Sequence, residues 1–303
     1  MNKLLLTLFI SFNSWAISLE MASTLDGNQH YEMVAGQEAE LVMQYLNPQT
    51  RSPFSMFMKM HAKLQHMVIV SRDLTHFAHI HPIWNRSEKK FSIVLNSQTN
   101  DFDNQMLPDA IPYAGEYFVF TEAMGMMGTE HFMQMDRISV KASGESSPKV
   151  ADTIYADAST PLIRYFELNG DLSQFGAPIK VEFSYEALDF CQSVHPKFYF
   201  TVSEFDGNDY VPAVDFNKWL EMGGHAVLLS AGNVDLDKRR FHHLHAFLPI
   251  ATPGEFTFPY DSHLPQLNDG DHKIWAQFLY KGQILTINFP FKMILSPNKC
   301  KAN

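Results

Sequence analysis

Fourteen histidines stand in this chain, and six of them fall in one pattern that is written twice. The first copy reads His66-Met67-Val68-Ile69-Val70-Ser71, then Phe77-Ala78-His79-Ile80-His81-Pro82. The second reads His225-Ala226-Val227-Leu228-Leu229-Ser230, then Phe241-His242-His243-Leu244-His245. In extended chain, successive side chains point to opposite faces, so His-x-His sets two imidazoles side by side on one face. Imidazole suits zinc, copper, iron and nickel. His66 can supply a third ligand to His79 and His81 from a neighbouring strand, and His225 can do the same for His243 and His245. A structural role competes with this reading, with each ring hydrogen-bonded to a backbone carbonyl where strands meet. A buried polar group left without a partner costs roughly 1–3 kcal/mol, so a satisfied histidine is cheap to keep. The sequence leaves both roles open. It assigns His76 and His242 to the opposite face or the intervening gap, where exposure is expected.

Methionine is the second soft donor. Fourteen of the sixteen methionines precede residue 150. Met124, Met126 and Met127 flank Gly125, and His131 follows shortly after. Their Gly-rich surroundings predict a hairpin loop, where core packing explains methionine poorly, so metal or partner contact is expected. Thioether with imidazole selects Cu(I) and persists in an oxidising compartment where thiols pair. Met also serves as plastic core filler or as an adaptable apolar contact for a partner protein. Met56, Met58 and Met60 alternate as one core face would.

Other chemistries are poorly supported. The chain has no Gly-x-Ser-x-Gly elbow, phosphate loop, dinucleotide fingerprint or His-Glu-x-x-His. No nucleophile or activated water stands with a base, so an enzyme is not expected. A formal net charge of −10 argues against nucleic acid or an anionic membrane as main partner. Two cysteines cannot form a four-cysteine zinc or iron–sulfur site in one chain.

The elements that would carry these residues are short runs, β-branched or aromatic, bounded by Gly, Pro, Asn or Asp. They include Glu38–Tyr45, Leu64–Ser71, Glu116–Thr121, Ile179–Tyr185, His225–Ser230 and Lys273–Leu279. Sustained 3.6-residue periodicity is scarce, although Val214–Met222 has room for a helical turn. The expected fold class is all-β, with two tandem immunoglobulin-like antiparallel β-sandwich domains. The repeat extends beyond the histidines: Glu40–Tyr45 echoes Lys180–Tyr185, and Gly115–Glu122 echoes Gly270–Gln277. A tandem duplication is the simplest account. Residues 1–16 read as a signal peptide: a Lys3 n-region, an apolar run from Leu4 to Phe12, and Ser14-Trp15-Ala16 for cleavage. The apolar run is too short to span a bilayer, and no later segment reaches the roughly 18 apolar residues that a crossing needs. A periplasmic or secreted chain from Ile17, not stably inserted in a membrane, is expected. The domains predicted are 17–145 and 161–303, joined by a Ser-, Ala- and Asp-rich linker at 146–160. In an oxidising compartment Cys191 and Cys300 are expected to form a disulfide, with two buried free thiols as the alternative.

The stretch His66–Pro82, with Ser71-Arg72-Asp73-Leu74 between its His-containing ends, resembles a pattern of secreted bacterial proteins related to the YtkA-like β-sandwich domains. That resemblance implies a β-sandwich and a link to heavy-metal handling. The second copy departs from the pattern: it lacks Arg-Asp-Leu after Ser230, inserts five residues, and has Ala246 where Pro is expected. The reading that follows is a secreted or periplasmic metal-binding protein using His and Met ligands, with copper as the expected ion. The alternative is a tandem β-sandwich interaction or adhesion module whose partner is a protein and whose histidines are structural.

Overall fold

The computed structural model describes residues 17–23, 29–46, 52–97, 110–127, 130–148, 152, 155–157, 160–186, 196–231, 241–248, 252–260, 267 and 270–293. Among these the protein is all-β, with no helix, and it divides between Ala151 and Asp152 into two units. The first unit holds β1 (Ile17–Ser23), β2 (Gln29–Val34), β3 (Ala39–Tyr45), β4 (Phe57–Met58), β5 (Gln65–Ser71), β6 (Phe77–Ile80), β7 (Ile83–Asn85), β8 (Lys90–Leu95), β9 (Gly115–Met127) and β10 (Glu130–Ser143). The second holds β11 (Leu162–Phe166), β12 (Leu172–Ser173), β13 (Ile179–Tyr185), β14 (Lys197–Phe205), β15 (Tyr210–Pro212), β16 (Phe216–Asn217), β17 (Gly224–Ser230), β18 (Phe241–Ala246), β19 (Glu255–Pro259), β20 (Gly270–Tyr280) and β21 (Gln283–Met293).

Period-two alternation decides which side chains enter the core. In β3, Ala39, Leu41, Met43 and Tyr45 are buried while Glu40, Val42 and Gln44 turn outward; β13 repeats this with Ile179, Val181, Phe183 and Tyr185. In the first unit, β1-β3-β8-β7 form one sheet and β2-β10-β9-β5-β6 the other, with β4 also paired to β9. Leu41, Met43, Phe91 and Ile93 of the first sheet share a core with Met67, Ile69, Ile80 and Val119 of the second. The unit is therefore a β-sandwich. Tyr45 ties the two sheets together: its hydroxyl accepts from Gln65 Nε2 at 2.5 Å and donates to Thr121 Oγ1 at 3.2 Å.

The second unit pairs β12-β11-β13-β14-β15, with β19 on β14, and β16-β20-β17-β18, with β21 on β20. Its second sheet has the same connectivity as that of the first unit. β21-β20-β17-β18 answers β10-β9-β5-β6, and the two-residue β16 answers β4. Its core is dominated by phenylalanine, with Phe183, Phe198, Phe200, Phe289 and Phe291 fully buried. The segment Val214–Met222 is not helical; it holds β16 and a tight turn. Nor is 146–160 only a linker. Asp152 bridges Arg164 at 2.5 Å and Lys273 at 2.6 Å, and Ala156 is buried in the second core, bonded to the backbone of Pro290 and Lys292. Residues 1–16, Cys191 and Cys300 lie outside the described residues.

Candidate metal centre

His66 lies in β5, His79 in β6, and His81 directly after β6. β5 and β6 are antiparallel with Val68 opposite His79 and Met67 opposite Ile80, so the same register sets His66 opposite His81. Met67, Ile69, Ala78 and Ile80 point into the core. By alternation the three histidines share the other face of the sheet. The Ser71–His76 connection holds that register. Ser71 Oγ donates to Asp73 Oδ1 at 2.6 Å and accepts from the backbone N–H of Thr75 and His76, and Leu74 takes the left-handed φ of 60°. Arg72 pairs with Glu116 of β9. The Ser-Arg-Asp-Leu motif is thus a turn-former whose consequence is histidine placement.

The three rings converge. Ring centroids are 5.4 Å apart for His66 and His79, 5.0 Å for His66 and His81, and 4.8 Å for His79 and His81. His66 is 2% exposed, and the other two are buried as well. His66 Nε2 stands 2.9 Å from the Met60 carbonyl. A carbonyl only accepts, so Nε2 carries the hydrogen, and in the neutral ring Nδ1 is left with its lone pair. Burial pushes the His66 imidazole down to about 3, with His79 adding repulsion, while the Met60 carbonyl and Glu122 pull the other way. The neutral ring is the one that ligates metal. Its Nδ1 lies 3.2 Å from His79 Nε2. Two nitrogens held at roughly 2.0–2.1 Å by one tetrahedral ion stand about 3.3 Å apart. The Met60 carbonyl plays the orienting part that an outer-shell acceptor plays for a metal-bound histidine.

The second unit builds a comparable arrangement with its third ligand closer: His66 and His79 fall within 4.8 Å in a group that does not include His81, whereas His225, His243 and His245 form one group. β17 and β18 pair His225 with His245 and Val227 with His243. Centroids are 5.4 Å for His225 and His243, 4.9 Å for His225 and His245, and 4.5 Å for His243 and His245. His225 Nδ1 is 3.3 Å from His243 Nε2, and His225 Nε2 is 3.2 Å from the Trp219 carbonyl. One ligand atom from each ring lies within 4.8 Å of the others. Both orienting carbonyls come from the same device, a two-residue turn. Met60 and Lys63 exchange backbone hydrogen bonds around His61 and Ala62, as Trp219 and Met222 do around Leu220 and Glu221. All four central residues have positive φ, from 46° to 68°. This is type I′ turn geometry, built here without glycine.

Two neighbours of the first centre are not visible in the histidine pattern. Glu122 of β9 is the cross-strand partner of His66. It is 5% exposed, and burial pushes its carboxyl up to about 7 against the pull of His66 and His61. His61, in the turn, has its ring 6.4 Å from His66. The only sequence signal for Glu122 is an acid at the end of the apolar run Phe118–Thr121, on the face shared with Phe118 and Phe120. Recognising it requires the β5–β9 register.

Several expected positions change. Met124 is not in a loop. It lies in β9, two residues beyond Glu122 on the same face, and pairs with Met58 and Met133 by backbone register. Met126 and Met127 continue β9, and Met126 pairs with His131 of β10; the side chains of these three lie outside the described residues. The long β9–β10 pairing overrides the glycine signal, because strand hydrogen bonds continue through Gly125. Met56 is 48% exposed, so Met56, Met58 and Met60 are not one core face. His242 is buried against Tyr260, whose hydroxyl is 3.0 Å from Nδ1, and His76 is half-buried beside the Tyr117 ring.

No family model and no curated protein matches the chain. Among solved structures, the bradyzoite-specific antigen BSR4 from Toxoplasma gondii is 8% identical, with 96% of this chain and 99% of that chain covered and a TM-score of 0.19. Extracellular domains 3–5 of Drosophila OTK are 8% identical, with 89% and 95% covered and a TM-score of 0.13. Scores this low carry no argument about fold or site.

Proposed function

We propose that this chain is a periplasmic or secreted metal-binding protein that holds one transition-metal ion at each three-imidazole centre, with copper as the preferred ion. The observation that carries the reading is the pair of facing nitrogens, His66 Nδ1 to His79 Nε2 at 3.2 Å and His225 Nδ1 to His243 Nε2 at 3.3 Å. In each pair the other nitrogen of the leading histidine is committed to a turn carbonyl. Copper is favoured by imidazole donors, with Met124 on the strand face of Glu122 two residues further along β9, and by the oxidising location that residues 1–16 imply. The reading treats the two units as duplicated immunoglobulin-like sandwiches, in keeping with the shared connectivity of their second sheets. It also agrees with the resemblance of His66–Pro82 to the YtkA-like pattern. Binding rather than catalysis is proposed.

One observation favours the adhesion-module alternative: the carbonyl bonds of His66 and His225 are what purely structural histidines would make. Competition titration of the mature chain with Cu(I) separates the two. Metal binding predicts two ions per chain, with His79→Ala and His243→Ala each removing one. A chain that takes up no Cu(I), and that His79→Ala merely destabilises by roughly 1–3 kcal/mol, is an interaction module.

A further inference from the structure

The two centres share a backbone plan but differ at two corresponding positions. The cross-strand partner of His66 is Glu122, and that of His225 is Gln277. The first central residue of the orienting turn is His61 in one unit and Leu220 in the other. Gln277 is buried and uncharged, and its Nε2 donates to Thr286 Oγ1 at 3.0 Å. Glu122 is a buried carboxyl directly across from His66, and a carboxylate buried in such a place is costly unless a cation stands beside it.

We infer that the two centres are not interchangeable: the first, with Glu122 and His61 beside its three imidazoles, is the divalent-ion site, and the second, with Gln277 and Leu220 in their places, is the monovalent-ion site. The inference rests on the metal-binding reading above and assigns each centre a charge class. Three neutral imidazoles around a divalent ion leave two positive charges in a buried space, and a neighbouring carboxylate offsets one of them. Around Cu(I), three imidazoles leave a single positive charge, so a neighbouring carboxylate has less to offset.

The full mature chain tests this with two probes, Zn(II) as a redox-inert divalent ion and Cu(I) under anaerobic competition. The expected result is two Cu(I) per chain but unequal Zn(II) sites, the tighter by about tenfold or more. Glu122→Gln should weaken the tight Zn(II) site by about 10–100-fold and leave Cu(I) affinity nearly unchanged. The reciprocal Gln277→Glu should strengthen the weak Zn(II) site, so the idea stays testable if Glu122→Gln fails to fold. Two equal Zn(II) sites in the unaltered chain overturn the inference. So does Zn(II) binding that neither substitution changes; either result leaves the metal-binding reading in place. A chain that binds neither probe overturns both.

Discussion

His66 and Glu122 carry opposite electrostatic demands within one cross-strand pair. His66 sits at about 3 in the fold against 6.5 for a free imidazole, and Glu122 at about 7 against 4.5 for a free carboxyl. The depressed histidine makes the folded state bind fewer protons than the unfolded chain between pH 3 and 6.5, so its effect is lost stability as pH falls through that window. The raised carboxyl makes the folded state bind more protons between pH 4.5 and 7, so its effect is lost stability as pH rises. Between 4.5 and 6.5 the two slopes oppose each other, so acid destabilisation from this pair is strongest below about 4.5. Glu122→Gln removes the opposing slope. Metal-free Glu122→Gln protein should lose stability, relative to the unaltered chain, as pH falls from 6.5 to 4.5, on the order of 1 kcal/mol per pH unit. Urea unfolding across that range reads the difference, and parallel curves would show that the two groups are not coupled in this way. The six histidines were legible as residues because His-x-His in extended chain leaves little choice of face. Glu122 was not, because its role depends on a pairing 56 residues away in sequence from His66.

At the scale of elements, each centre depends on a strand pair and a turn that delivers one carbonyl. The strands were legible from apolar alternation, and the duplicated spacing already paired β5 with β17 and β6 with β18. The turns were not, because type I′ geometry is signalled by Asn-Gly or Gly-Gly, and here His61-Ala62 and Leu220-Glu221 take the positive-φ positions. Left-handed conformation costs a non-glycine residue roughly 1–2 kcal/mol. Glu221 is exposed, with φ 68°, so Glu221→Gly should raise the stability of the protein by about 1 kcal/mol and leave metal affinity unchanged. Denaturant midpoints would record the gain; a loss would mean that the left-handed residue is not a cost here. The methionine expectations failed at this scale for a related reason. A glycine between methionines reads as a loop in isolation, yet thirteen residues of β9 pair continuously with β10 through Gly125.

For the whole molecule, one sheet plan was used twice with different fillings. The first core mixes Met, Ile, Leu and aromatic residues, and in the second Phe is the commonest residue. Both present three histidines from the same two strands on the sheet face opposite that core. Gathering three imidazoles together in each unit is explained economically by an ion that uses their lone pairs. The direct test is the anomalous-difference map of copper-loaded crystals of the mature chain. The account predicts one copper peak per unit, roughly 2.0–2.1 Å from His66 Nδ1 and His79 Nε2 in the first and from His225 Nδ1 and His243 Nε2 in the second. Copper found only at other surface positions, with both facing nitrogen pairs still hydrogen-bonded to each other, would contradict it.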